Sequence, residues 1–225
     1  MRISIAKEGL PFLIISLLLT LLLLFFPQTR FGWVFWISVV VTCFVGMFFR
    51  DPERVIPPGT NVIVAPADGQ IILIQDVKYP ALGDETYRQV SIFMSIFNVH
   101  VNRAPLAGTV ENVLYNPGKF FVASKNKASL LNEQNSIILS RTVNGKTVKI
   151  LVKQIAGLIA RRIVCYAKPG MSFEKGERIG LIRFGSRVDL FLPQDTTLAV
   201  KLNDKVNGGT TIIGTLNDLT SEDLS

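Results

Sequence analysis

The sequence predicts a β-rich domain of mainly antiparallel sheets, barrel- or sandwich-like, preceded by an N-terminal hairpin of two transmembrane helices. Three observations carry this expectation. Two uncharged apolar runs, residues 10–26 (LPFLIISLLLTLLLLFF) and 31–49 (FGWVFWISVVVTCFVGMFF), are separated only by a short PQTR. From residue 51 the pattern changes to short runs rich in Val, Ile, Leu and Phe, divided by Gly, Pro, Asn and Asp. Few segments beyond that point repeat with a helical period. The 225 residues suffice for one sizeable domain and an appendage. The apolar content of 48% and the mean hydropathy of +0.38 owe their excess to the N-terminus.

Each apolar run is long enough to cross the hydrocarbon layer as a helix rising about 1.5 Å per residue. Pro27 and Gly32 mark the break, where a tight turn is expected. Arg2 and Lys7 precede the first run, Arg50 and Arg54 follow the second, and the loop between offers only Arg30. The positive-inside rule then puts both ends in the cytoplasm, with Trp33, Phe35 and Trp36 near the opposite interface. A cleaved signal peptide fits less well, because a second apolar run follows at once and no small-residue cleavage site intervenes. Two buried core helices also fit less well, because nothing downstream offers enough apolar surface to cover them. The expected division is a membrane anchor over 1–50 and a cytoplasmic domain over 51–225.

The domain opens on a Pro-rich charged linker, DPERVIPPGTN. NVIVAPADGQIILIQDV reads as two strands joined at a turn around Pro66-Ala67-Asp68-Gly69. RQVSIFMSIFNVHVNR and AGTVENVLYN read as further β segments. SIILSRTVNGKTVKILVKQI reads as a hairpin turning at Asn144-Gly145. ARRIVCYA and GLIRFGSRVDLFLP complete the set. Residues 119–135 suit a helical turn or a loop, and the tail LNDLTSEDLS is polar.

From Asp51 onward there are 20 Lys+Arg against 16 Asp+Glu, a mild basic excess. The clusters Lys119, Lys125, Lys127 and Arg161, Arg162 suit a surface resting on anionic head groups, or simply a solvated face. Nucleic-acid binding is disfavoured by the small excess and by the lack of a recognition helix or aromatic-basic platform. Cys43 lies in the second apolar run and Cys165 in another, with no spacing for a disulfide or a zinc site. Both read as packing residues in a reducing compartment.

Chemistry has few candidate bearers. In GLIRFGSRVDLFLP, strand formers on both sides are interrupted by Gly185 and Ser186, flanked by Arg183, Arg187 and Asp189. A glycine inside a strand marks a bulge, a bend or a close approach, and taken alone this reads as a bulge with a solvated serine. His100 is the single histidine, the usual general base near neutral pH, although a lone histidine on a strand is often structural. Asp68 sits at an ordinary Asp-Gly turn. No nucleophile elbow, metalloprotease motif, phosphate loop, dinucleotide fingerprint or calcium loop is present.

Taken together, PADGQI, FMSIFNVHVNRAPLAGTV, NPGKFF, QIAGLIARRIV and GERIGLIRFGSRVDLFLP, in this order, resemble the phosphatidylserine decarboxylase family in its short, membrane-anchored prokaryotic form. The resemblance runs from about Asp51 to about Gly209. It implies autocatalytic cleavage between Gly185 and Ser186, which turns Ser186 into a covalent pyruvoyl group, with no metal. That group would form a Schiff base with the serine head group, carbon dioxide would leave, and phosphatidylethanolamine would be released. The implied catalytic set is Asp68, His100 and Ser186, with Asp68 orienting the histidine ring. Longer members carry two histidines in the matching segment where this chain has His100 and then Arg103, so His100 is expected to serve both processing and decarboxylation. Arg103 and Lys119 are either contacts for the lipid phosphate or surface charges. The implied partners are the phospholipid, the two processed chains as a heterodimer, and a possible homodimer. Three other readings stay open. One is a decarboxylase of an archaeal-type ether lipid. Another is a non-catalytic membrane adaptor, since GERIGLIRFG resembles lipoyl and biotinyl carriers but lacks their hairpin lysine. The last is a serine hydrolase that never cleaves its own chain.

Overall fold

The computed structural model describes residues 3–26, 28, 32–118, 132–143, 146–157, 162–183 and 185–217. The chain divides into two units, Met1–Glu53 and Arg54–Ser225. The Asn144-Gly145 turn, Lys119, Lys125, Lys127, Arg161, Arg2, Arg30 and most of the polar tail lie outside the described residues.

Among its described residues the first unit holds two long helices. A single 3-10 turn, Lys7–Gly9, leads into α1 (Leu10–Leu24), and Pro11 sits in its first turn, where the missing N–H costs no helical bond. The second helix, α2, is Trp33–Phe48. The two run antiparallel, since Thr20 Oγ1 meets Thr42 Oγ1 at 3.1 Å while Leu13 faces Gly46 further along. Both threonines also bond back to the preceding turn, Thr20 to Ser16 O and Thr42 to Ser38 O, each at 2.9 Å. Outside this polar contact the helices present exposed Ile15, Leu18, Val40 and Trp36. Lys7–Leu24, at 18 residues, is the one helical segment among the described residues long and apolar enough to cross a membrane. The helix expected over 31–49 is shorter, at 16 residues, because Gly32 is still extended and Phe49 has left the helix. The start of the expected linker is instead a strand: β1 (Ile3–Ile5) pairs antiparallel with β2 (Arg50–Pro52), Ser4 opposite Asp51.

The second unit is built from strands: β3 (Val62–Val64), β4 (Gly69–Lys78), β5 (Thr86–Met94), β6 (Val101–Arg103), β7 (Gly108–Asn116), β8 (Gln134–Val143), β9 (Lys146–Ala156), β10 (Ile163–Cys165), β11 (Ser172–Phe173), β12 (Arg178–Ile182), β13 (Ser186–Pro193), β14 (Thr197–Leu198), β15 (Lys205–Val206) and β16 (Ile212–Thr215). Among the described residues they form one large sheet, ordered β11-β7-β8-β9-β13-β5-β4-β15, and two small ones, β10-β12-β6 and β14-β16-β3. Every pairing is antiparallel, as the sequence predicts.

Strand β13 lies inside the large sheet, between β5 and β9. Its alternation explains its apolar run. Val188, Leu190 and Leu192 point to one face, where they join Val90, Ile92, Ile150 and Val152 from the neighbouring strands. Ile63, Ile179, Ile182 and Ile213 of the small sheets enter the same cluster, so the large sheet and the small ones share one core in sandwich fashion. Phe191 points the other way and packs with Leu82, Tyr87, Ile138 and Leu151. A strand buried on both faces reads as a continuous hydrophobic run.

Two expected runs are broken. RQVSIFMSIFNVHVNR divides into β5 and β6 at a turn, where Asn98 Oδ1 accepts from both the N–H and the hydroxyl of Ser95 at 2.8 Å. GLIRFGSRVDLFLP is not one strand with a bulge. Its first half is β12 in a small sheet and its second half is β13 in the large sheet. Gly185 lies at the crossing between them.

Candidate functional site

Ser186 opens β13, with its Cα opposite Met94 of β5 on one side and Ala156 of β9 on the other. The residue is fully buried, unlike the solvated serine that the Gly-Ser pair taken alone would suggest. Its hydroxyl donates to Met94 Sδ at 3.3 Å. The residue before it, Gly185, has φ +62°. A β-carbon built there would find only Ile96 Cγ2, at 3.9 Å, so space is not the constraint. The backbone conformation is, since an L side chain in this region costs about 1–2 kcal/mol. In the uncut Ser186→Ala protein, adding Gly185→Ala is therefore expected to lower the unfolding free energy by about that amount in a urea titration. A loss near zero would show that the crossing relaxes freely.

His100 directly precedes β6 and is fully buried. Its carbonyl accepts the N–H of Ile182, the last residue of β12, at 3.3 Å. This ties the histidine to the end of the strand that leads into Gly185. His100 Nδ1 lies 2.9 Å from the Asn98 carbonyl oxygen. A carbonyl can only accept, so Nδ1 carries the proton, and Nε2 is the basic nitrogen of the neutral ring.

Asp68 directly precedes β4. Its carboxylate receives Arg54 Nη2 at 2.8 and 3.0 Å and the Gly208 N–H at 2.7 Å. The ion pair is nearly buried. The ring-orienting bond through Nδ1 thus comes from the Asn98 carbonyl, while Arg54 and Gly208 fix the Asp68 carboxylate. Arg103 lies beside the same turn: its N–H donates to Pro66 O at 2.8 Å and its Nη1 to Gly176 O at 3.0 Å. Arg103 is buried, so it is not a surface charge. The register of β4, β5 and β13 sets Gln70 opposite Phe93 and Met94 opposite Ser186. Asp68, Met94 and Ser186 therefore gather at one end of the large sheet, with His100 and Arg103 on adjoining segments. A cleft of about 820 Å³ lies at the other end of β13, around Pro193, and holds none of these groups.

Several polar residues around Ser186 escape a reading based on motifs. Asn102, Asn135 and Gln154 are all buried. Two of them leave a signal in the alternation. Gln154 shares a face of β9 with Ile150, Val152 and Ala156, and Asn135 shares a face of β8 with Ile137 and Leu139, all core residues. On the opposite face of β13, Arg187 forks onto Asp189 at 2.7 and 2.8 Å, and Gln89 adds a bond to the same carboxylate at 3.0 Å. Opposite charges at i and i+2 in an apolar strand share one face, which is the pattern of a buried pair.

Cys165 belongs to the packing, as expected. Burial pushes its thiol up, against hydrogen bonds with the Asn135 side chain and the Ala167 carbonyl that act the other way. The folded state then favours the neutral thiol. Stability is complete below the unfolded thiol's pKa and falls as pH climbs through the raised folded value. Melting curves should show a loss setting in above about pH 9, and Cys165→Ala should remove part of it. An alkaline loss identical in that variant would assign it to other groups.

The comparisons with known proteins agree on one family. A family model described as phosphatidylserine decarboxylase matches residues 41–214. The phosphatidylserine decarboxylase proenzyme of Desulfotalea psychrophila is 45% identical over 213 residues, covering 95% of this chain and 97% of the relative. That of Syntrophus aciditrophicus is 45% identical over 211 residues, covering 94% and 97%. That of Geotalea uraniireducens is 46% identical over 212 residues, covering 94% and 96%.

Proposed function

This chain belongs to the phosphatidylserine decarboxylase family, and we propose that it converts phosphatidylserine to phosphatidylethanolamine and carbon dioxide after cutting itself between Gly185 and Ser186. It is a decarboxylase, a carbon–carbon lyase. The observation that carries the self-cleavage reading is a buried serine hydroxyl next to a glycine held at φ +62°, at the crossing between two sheets.

Ser186 Oγ bonds to the carbonyl carbon of Gly185, the C–N bond to Ser186 breaks, and the hydroxyl proton passes to the freed amine. The product is an ester. A base then removes the Ser186 Cα proton, the Cβ–Oγ bond breaks, and Gly185 leaves as a carboxylate. The remaining enamine becomes an imine, water adds, and ammonia departs to leave a ketone. His100 Nε2 is the proposed base, with its tautomer set by the Asn98 carbonyl. Asp68 supplies a fixed negative charge to the site, held by Arg54 and the Gly208 N–H.

The residues present fit such a group. The cut would separate β12 from β13, but each strand keeps its own ladder: β13 stays paired with β5 and β9, and β12 with β6 and β10. The two chains would remain one folded heterodimer. The pyruvoyl ketone would supply the electron sink for the pair left behind when carbon dioxide departs. Around it, Ser186, His100 and Met94 are fully buried in the uncut chain. His100 is proposed to return a proton to the reacting carbon. Arg103, whose Nη1 donates to the Gly176 carbonyl, and Lys119 are proposed as contacts for the lipid phosphate.

A membrane lipid as substrate also accounts for the first unit. We propose that α1 and α2 span the membrane as a hairpin with the domain on the cytoplasmic side. The antiparallel packing, the threonine pair between the helices and the exposed apolar faces support this. The test of function is incubation of the purified full chain with phosphatidylserine in mixed micelles. Phosphatidylethanolamine and carbon dioxide should appear in equal amounts. Cleaved, folded protein that yields neither would overturn the substrate assignment.

A further inference from the structure

Four side chains with no part in the steps above lead in a line to Ser186. Asn135 Nδ2 donates to Gln154 Oε1 at 3.1 Å, and Gln154 Nε2 donates to Asn102 Oδ1 at 2.8 Å. Asn102 Nδ2 lies 3.8 Å from Met94 Sδ, the sulfur that also accepts the Ser186 hydroxyl at 3.3 Å. The line runs from β8 through β9, β6 and β5 to β13, and so bridges the large sheet and a small one beside the crossing. All five residues are buried, with none more than 2% exposed. Its direction is set from the Met94 end: a thioether can only accept, so Asn102 Nδ2 faces it, and Gln154 and Asn135 must then be oriented in turn.

The geometry points to Met94 and Asn102, backed by Gln154 and Asn135, as positioning residues that hold the Ser186 hydroxyl in one rotamer before the chain is cut. A methionine side chain is flexible and does not itself fix a neighbour. Here the Asn102 amide fixes the thioether, Gln154 fixes Asn102, and Asn135 fixes Gln154. A thioether is a weak acceptor and no base. It orients the O–H without taking the proton, and it leaves the oxygen lone pairs for the Gly185 carbonyl. Of the three staggered positions open to a serine, the one that meets Met94 is selected. Nothing in this line is titratable, so it contributes orientation alone.

The inference rests on the self-cleavage reading, and the test separates the two. The full chain is made in a short cell-free pulse, and the appearance of two chains is followed by gel. Met94→Leu keeps the volume and removes the acceptor, and Met94→Gln restores an acceptor on an unbranched side chain. Cleavage should slow about three- to tenfold in Met94→Leu and in Asn102→Leu, and should recover to within about twofold of wild type in Met94→Gln. Thermal melting of each variant separates this effect from loss of fold, since a merely structural role would not be rescued by an acceptor. Should Met94→Leu fail to fold, wild-type chain made with norleucine for methionine removes the sulfur at the same shape, and it should show the same slowing. An uncleaved wild-type chain defeats the cleavage reading. A cleaved wild type with an unslowed leucine or norleucine form, or with Met94→Gln as slow as Met94→Leu, overturns the positioning role alone.

Discussion

Ser186→Ala gives a single uncleaved chain with no phosphatidylserine decarboxylation. Alanine has no oxygen to form the ester with Gly185, so no elimination follows and no ketone forms. Without that electron sink the whole catalytic acceleration is lost, on the order of a millionfold or more. The fold of the uncut precursor should be kept. The hydroxyl removed is fully buried and its hydrogen bond goes to a thioether, so the methyl group that replaces it leaves no strong acceptor unsatisfied. Gel analysis, product analysis and thermal melting together check this. An uncleaved Ser186→Ala protein that still forms phosphatidylethanolamine would move the chemistry to another residue.

Asp189→Asn has the largest expected effect on stability. Arg187 and Asp189 are each about 1% exposed at the side chain, and the guanidinium leans on that carboxylate with two bonds. Its remaining Nη1 is buried with no hydrogen-bond partner among the described residues. Neutralising Asp189 therefore strands a buried cation, which costs about 3–5 kcal/mol. Against a total of about 5–15 kcal/mol for a domain, this is a large part of the fold's stability. Urea unfolding should show it directly. The double variant Arg187→Met, Asp189→Leu should recover most of the loss, since a well-packed apolar pair can replace a buried ion pair. A double variant as unstable as Asp189→Asn would mean that the strand needs the charges for another reason.

The strands of the second unit were legible because their sequence carries both turn residues and period-two apolar faces. The break at Gly185 was not. Leu181 and Ile182 belong to one core strand and Val188 and Leu190 to another, and apolar runs on either side of a glycine look alike whether or not they share a sheet. The second helix came out shorter than its apolar run because hydropathy does not register where Gly32 and Phe49 leave helical geometry. At the site, the family resemblance nominated Ser186, His100 and Asp68, which residue types alone leave as ordinary positions. Neither could reveal that the Asn98 carbonyl takes the ring-orienting bond, because a backbone oxygen has no sequence signature. Arg54, fourteen residues from Asp68, is likewise paired by the fold alone. Gln154 and Asn135 could have been found by asking which polar residues fall in the apolar register of β9 and β8.

The mature protein is proposed to be two chains joined by folding, one of them beginning with a modified residue 186. The intact mass of the purified wild-type protein tests it most directly. The expected result is one chain ending at Gly185 and a second whose mass is lower by one ammonia than that of the same chain starting with serine, and which hydroxylamine shifts. A folded sample with a single chain of full mass, or one cut at any other bond, would contradict it.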